Sequence, residues 1–228
     1  EDLNSLGILN WLQQQEYPQL AIRQNQIFYE VIQPISSDTL RSTVAIKDDG
    51  VYLVTGGNGS LGKNIAMWLV DQGAKQVILA SRHAEENLPY QPKIIYKNLD
   101  VSDVSSVMSL QNWLTTNSIK LSGIIHAAGI SYRMTFKEMQ PKDIDKAAQT
   151  KVNGLHHLSN CLSLENIDFF VVYSSIASVW GSTMLSHYTA VNAYMDAYIH
   201  QLRKQGVPAK SISWGPWAES NMMQQDED

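Results

Sequence analysis

From Val51 onward, short apolar runs alternate with stretches of helical spacing. The runs are VYLVTG (51–56), VILA (77–80), IIYKNLDV (94–101), GIIHAAG (123–129), DFFVVYSS (168–175) and AKSISWG (209–215). They are continuously apolar rather than alternating, the pattern of strands buried on both faces. Between them, 60–72, 103–117, 143–163 and 187–205 carry apolar residues at helical spacing, with Ser102 and Asp103 supplying an N-cap for the second. Strand–helix alternation of this kind predicts an α/β fold with a parallel sheet and right-handed crossovers.

Residues 1–50 have a different texture. Leu6 to Leu12 has the spacing of a short helix. QLAIRQ and IFYEVIQ read as two strands around a tight turn at Asn25-Gln26. Residues 34–50 (PISSDTLRSTVAIKDDG) are polar, contain a proline, and read as a linker. The front piece has too few apolar residues for a core of its own and reads as the end of something larger.

Composition narrows the class. A chain of 228 residues corresponds to between one and two domains at ~150 residues each. Charged residues make up only 17%, against a usual ~25%, which fits a surface partly covered by other protein. The net charge of −5, from 17 basic and 22 acidic residues, argues against a nucleic-acid partner. The single cysteine, Cys161, excludes a disulfide framework and a cysteine-rich metal site. No run approaches the ~18 apolar residues of a membrane span, and EDLNSLGILN lacks a basic leader. The expectation is a soluble, cytoplasmic protein with no membrane partner. His126, His156, His157 and His187 read as packing or surface residues, so no metal is expected.

The first run leads directly into Thr55-Gly56-Gly57-Asn58-Gly59-Ser60-Leu61-Gly62, with four glycines in seven residues. Gly57, Gly59 and Gly62 form G-x-G-x-x-G between a strand and a helix, the context that gives this motif meaning. Glycines let the backbone approach a pyrophosphate closely, and the helix N-terminus offers N–H groups and a positive dipole end. The fold expected is therefore a doubly wound, Rossmann-like sheet. An NAD enzyme places an acid ~20 residues further on; here Ser81-Arg82 occupies that place. A planar guanidinium suits a 2′-phosphate, so the cofactor expected is NADPH. Asp100 and Val101 would flank its adenine, and Ala127, Ala128 and Gly129 are small enough to let it pass.

The fifth run ends in Tyr173-Ser174-Ser175. Tyr188 follows Ser175 by thirteen residues, and Asn192 lies four further on, on the same helical face. Ser174 competes for the serine role, but the spacing selects Ser175. This spacing after a glycine-rich first turn resembles the short-chain dehydrogenase/reductase superfamily. Together TGGNGSLG, ILASR, HAAG, YSSIASVWG, HYTAVNAYMDA and SISWGPW resemble the ketoreductase domain of a modular polyketide synthase, across about residues 51–217. Most of the superfamily has lysine four residues after the tyrosine; this chain has Asn192. Polyketide ketoreductases exchange the two, and Lys151 in TKVNGLHHL stands where that family places its lysine.

The resemblance implies a catalytic set of Lys151, Ser175, Tyr188 and Asn192. A free phenol has a pKa of ~10, and a neighbouring ammonium lowers it, so Lys151 is expected to lower Tyr188 and to bind the nicotinamide ribose. Ser175 would donate to the substrate oxygen, and Asn192 would hold a water that resupplies the proton. Gly215 and Pro216, between Trp214 and Trp217, would close beside the nicotinamide. The substrate implied is a β-ketoacyl chain tethered to an acyl carrier protein, among neighbouring megasynthase domains. In that family, reductases giving the D-alcohol carry Leu-Asp-Asp after the HAAG-like motif. Here Ile130-Ser131-Tyr132-Arg133 stands there instead. Reductases giving the L-alcohol carry a tryptophan eight residues before the tyrosine, and Trp180 stands there. Both marks imply the L-product, with Trp180 and Arg133 orienting the substrate, although Leu185 replaces a family glutamine.

The domain organisation expected is 1–33 as the end of a structural subdomain, 34–50 as linker, and 51–228 as the catalytic domain without its lid and last strand. The stretch Gln91–Lys97 follows ILASR so soon that the usual second helix is expected to be short. Two other readings stay open on sequence: a stand-alone reductase of a free ketone, and a catalytically silent Rossmann scaffold.

Overall fold

The computed structural model describes residues 20–24, 26–29, 31–36, 45–84 and 91–217. It divides into two compact units, residues 1–43 and 44–228. In the first, β1 (Leu20–Arg23) and β2 (Gln26–Tyr29) form an antiparallel hairpin in which Arg23 pairs with Gln26. Gln26, expected in the turn, is therefore already part of β2, and Gln24 takes the left-handed conformation at φ 50°. The expected helix at Leu6–Leu12 lies outside the described residues.

The second unit holds a six-stranded, wholly parallel sheet. Its strands are β3 (Val51–Thr55), β4 (Gln76–Ser81), β5 (Ile94–Asn98), β6 (Leu121–His126), β7 (Phe169–Ser175) and β8 (Ala209–Trp214), in the order β5-β4-β3-β6-β7-β8. All six predicted runs are strands. Every residue of β3 is buried, as the unbroken apolar run requires. Alternate β3 residues serve two cores. Leu53 packs with Val107, Leu155 and Met195 on one face, while Tyr52 and Val54 pack with Ala66 and Leu69 on the other.

The helices are α1 (Ser60–Asp71), α2 (Val104–Thr116), α3 (Pro141–Ala148), α4 (Gly154–Cys161), α5 (Ala177–Trp180) and α6 (Ser186–Lys204). Asp103 caps α2 by accepting from the Ser105 amide. Pro141 opens α3 inside a reciprocal cap between Gln140 and Asp143. The stretch expected as one helix over 143–163 is interrupted: between α3 and α4, Gln149–Asn153 forms a wider, π-type turn. Such turns concentrate at functional sites, and this one carries Lys151.

From β3 the chain builds outward to β5, then returns to lay β6 on the other side of β3. The connections that leave the carboxyl ends of β3 and β6 therefore run in opposite directions along the sheet, which makes this a topological switch point, where doubly wound sheets open a crevice. Residues 85–90, in the expected short connection, lie outside the described residues, and β5 begins at Ile94. Among the described residues no helix is long and apolar enough to cross a membrane.

Candidate active site

Two cavities meet at the switch point. One, of about 400 Å³, runs along the glycine-rich turn and is lined by Thr55, Gly56, Asn58, Gly59, Ser60, Leu61, Gly62, Ser81, Arg82, Asp100, Val101, Ala127, Ala128 and Gly129. Apart from Gly57, every residue expected along the pyrophosphate, the 2′-phosphate and the adenine lies in this wall. The Gly57 amide instead donates to the Ala80 carbonyl at 2.9 Å, tying the turn to β4.

The turn needs two glycines for different reasons. Gly56 has φ +79°, and a Cβ there would also lie 2.8 Å from the Ala128 amide. A Cβ on Gly62 would collide with the Gly56 carbonyl oxygen, so α1 can pack this close to β3 only with glycine at that position. Gly56 lies outside the G-x-G-x-x-G pattern; its signal was the density of glycine. Asn58 locks the turn to β4: its Nδ2 donates to the His83 carbonyl at 2.6 Å, and it accepts from the Ser81 hydroxyl at 2.9 Å.

The Asp100 carboxyl is held below the usual range, first by the Ser102 hydroxyl and then, against burial, by the Ser102 amide and the charge of Arg82. Arg82 thus stands at the strand end beside Asp100. Thr55, at the end of β3, shares a hydrogen with His126 Nδ1 at 2.8 Å, bridging the ends of the two paired strands. Burial depresses His126 to about 4, so it stays neutral as an internal brace.

This cavity fits a dinucleotide. The N-cap of α1 is Gly59, which offers no side-chain cap, and the first turn holds no acid. Its leading N–H groups are left for an external acceptor, and Arg82 supplies a cation at the far end.

The second cavity, of about 590 Å³, shares Leu61, Ala127, Gly129 and Ser131 with the first. Lys151, Ser174, Ser175, Tyr188, Arg133, Gly215 and Pro216 line it, with Tyr132, Leu185 and the tryptophans Trp214 and Trp217. Lys151 is 4% exposed, and its Nζ donates to the Tyr173 carbonyl at 2.9 Å. Burial pulls it down to about 8, opposed by the charge of Asp196. Nζ lies 5.4 Å from the centre of the Tyr188 ring, within cation–π range.

Tyr188 departs from expectation. Burial pushes its phenol up, while hydrogen bonds with Ser175 and Asn192 pull the other way. Desolvation of the phenolate outweighs its stabilisation here. Ser175 Oγ also accepts from the Ala177 amide at 3.2 Å. Ser174, which lines the same cavity, is buried and placed toward the Asn192 carbonyl.

Asn192 is fully buried behind Tyr188 rather than in the cavity wall. Its Nδ2 donates to the Tyr188 carbonyl at 2.7 Å, and its Oδ1 has no protein partner among the described residues. Trp180 closes α5, is 71% exposed, and does not line the cavity; the next residue, Gly181, does. His187, read from sequence as a packing or surface residue, is buried against Tyr132, to which the sequence assigns no role. Their ring centres lie 4.4 Å apart at a tilt of 32°, and Tyr132 Oη donates to the Asp143 carbonyl at 2.6 Å, fixing one wall. No cluster able to hold a metal occurs among the described residues.

A doubly wound sheet with a glycine-rich first turn, and lysine, serine, tyrosine and asparagine gathered beside it, defines a short-chain dehydrogenase/reductase. More narrowly, a family model described as KR domain matches residues 50–219, and the chain belongs to that family of ketoreductase domains. It is 33% identical over 209 residues to the polyketide synthase GfsA of Streptomyces halstedii, which covers 87% of this chain and 3% of that protein. It is 32% identical over 186 residues to the erythronolide synthase EryA3 of Saccharopolyspora erythraea, covering 76% of this chain and 6% of that one. The chain thus spans a small fraction of the curated relatives it matches. Among solved structures, a ketoreductase domain from the bacillaene assembly line superposes with a TM-score of 0.81 at 27% identity, covering 98% of this chain and 57% of that one. A ketoreductase from the first module of phoslactomycin biosynthesis in Streptomyces sp. HK803 gives 0.81 at 28%, covering 94% and 52%.

Proposed function

We propose that this domain reduces the β-ketone of an acyl chain, presented as a thioester on an acyl carrier protein, to the L-β-hydroxyl, with NADPH as its cofactor. The observation that carries the reading is the junction of the two cavities: the glycine-walled one ends at Arg82, and the one it opens into holds Lys151, Ser175 and Tyr188. Residues 1–33 are read as the end of a structural subdomain and 34–50 as a linker. The polyketide synthases among the relatives support neighbouring synthase domains as partners.

NADPH, held along the glycine turn by the α1 N-terminus and Arg82, would supply the hydride that the ketone carbon needs. The protein's part is to receive the developing alkoxide. Tyr188 donates its phenolic proton to that oxygen, and Ser175, hydrogen-bonded to Tyr188, donates to the same oxygen and fixes where it sits. The buried Lys151 ammonium offsets the phenolate that Tyr188 becomes. Asn192 Oδ1, a buried acceptor one turn behind Tyr188, suits a water on the path that returns the proton. With oxygen and cofactor fixed, the ketone face is chosen by the side from which the chain enters. Arg133 in the wall, and Trp180 beside Gly181 at the rim, act on that choice.

The test is reduction of a β-ketoacyl thioester mimic with NADPH and with NADH, followed by chiral chromatography of the product. Faster turnover with NADPH and a predominantly L-alcohol are expected. A D-alcohol would reject the stereochemical part, and oxidation of neither cofactor would reject the function.

A further inference from the structure

Helix α6 presents three polar side chains at four-residue intervals, Tyr188, Asn192 and Asp196, which therefore lie along one face. The first two belong to the site described above; Asp196 does not line its cavity. Its carboxylate instead joins two other elements. Ser178 Oγ, on α5, lies 2.7 Å from Asp196 Oδ2 and donates to it. Ser211 Oγ, on β8, donates to Oδ1. Ser178 Oγ also lies 2.8 Å from the carbonyl oxygen of Ser175.

These positions matter because of what each element carries. α5 begins two residues after Ser175. β8 pairs with β7 in a register that sets Ser211 opposite Val172 and Trp214 opposite Ser175. α6 carries Tyr188. One carboxylate thus fastens the strand end that bears Ser175, the strand beside it, and the helix that bears Tyr188. Hydrogen bonds to a charged acceptor are stronger than neutral ones. We propose that Asp196 is a positioning residue for the reduction, holding Tyr188 in register with Ser175 through the hydroxyls of Ser178 and Ser211.

The same carboxylate has a second effect. Lys151 faces His126 from β6, Tyr188 from α6 and the Tyr173 carbonyl from β7. His126 is held neutral by burial, down to about 4, and burial pushes Tyr188 up. Asp196 is the carboxylate whose charge acts on Lys151, favouring its ammonium against burial.

The kinetic part of the test rests on the ketoreduction proposed above; hydrogen exchange does not. In the full-length polypeptide, Asp196→Asn is compared with the double variant Ser178→Ala, Ser211→Ala. Two measurements are made: kcat and KM for NADPH with the thioester mimic from neutral to alkaline pH, and exchange over residues 176–192 without cofactor. For the double variant, kcat is expected to fall at least about tenfold, part of the ~10²-fold that a 1 Å misplacement can cause. Its KM for NADPH and its pH profile stay as in the wild type, while exchange over 176–192 rises. Asp196→Asn should lose the same activity and also shift the alkaline limb to lower pH.

Wild-type kcat and wild-type exchange in both variants would overturn the proposal. So would losses of kcat matched by equal losses of NADPH binding and a rise in exchange everywhere, the mark of a general structural role. If Asp196→Asn does not fold, the serine variant, which keeps the carboxylate, decides. If the wild type itself consumes no NADPH, the ketoreduction reading fails, and exchange over 176–192 still decides the role of Asp196.

Discussion

Burial acts in opposite senses on the two ionisable residues of the site. It draws Lys151 down to about 8 and pushes Tyr188 up, in both cases by penalising the charged form. At neutral pH the pair is therefore an ammonium beside a protonated phenol, the state that the proposed proton delivery requires. Replacing Tyr188 with Phe removes the hydroxyl and keeps the ring. The expected result is a fall in kcat of at least ~10²-fold, the low end of general-acid contributions, with NADPH binding by fluorescence unchanged. Arg82 acts at the other end of the crevice. Losing a hydrogen bond to a charged phosphate removes about 1.5–3 kcal/mol, so Arg82→Ala should raise KM for NADPH by roughly 10- to 10²-fold. KM for NADH should change far less; equal changes for both cofactors would reject a 2′-phosphate contact.

The joint between β3 and α1 shows how one element can be decided by a missing side chain. Gly62→Ala would place a Cβ against the Gly56 carbonyl, and backbone, unlike the far end of a side chain, has little room to give. Such overpacking destabilises by about 1–3 kcal/mol. Thermal unfolding should show a lower Tm, and NADPH titration should show weakened binding as α1 shifts from the turn. Elements of this kind were legible in the sequence: strands buried on both faces announce themselves as unbroken apolar runs, and the glycines of the turn follow directly. The interruption at Lys151 was not. Gln149–Asn153 keeps helical periodicity, and no residue in it breaks a helix; the turn widens in a tertiary setting in which Gly154 is pressed against Val101 so closely that a Cβ would lie 2.8 Å away. Gln26 reads as part of the hairpin turn because Asn25-Gln26 looks like a turn pair, whereas its pairing with Arg23 puts it in the strand. The lysine, serine, tyrosine and asparagine could be picked out by their spacing together with the family resemblance. The upward shift of Tyr188 could not, since desolvation depends on what covers the ring. Nor could the bridge at Asp196, whose two serines lie on other elements, 18 residues before it and 15 after it.

Across the whole molecule, the return of β6 beside β3 makes both cavities possible, and it also places the Lys151 ammonium beneath the sheet's carboxyl end with little water around it. In the folded state this lysine titrates near 8, and in the unfolded chain near 10.5. Between those values the unfolded chain holds the extra proton, so this group's contribution to stability rises with pH. Below about 8 both states are protonated and the full penalty applies, on the order of 3 kcal/mol. Lys151→Met should therefore unfold at higher urea than the wild type at pH 7, and the gap should narrow as pH rises toward 10. Activity runs the other way, since the wild-type rate should decline as pH passes about 8 and the ammonium is lost. A population of variants screened only for survival of heat would be expected to discard this lysine and arrive at sturdy, inert proteins. One screened for turnover would keep it and gather its sturdiness at positions far from the crevice.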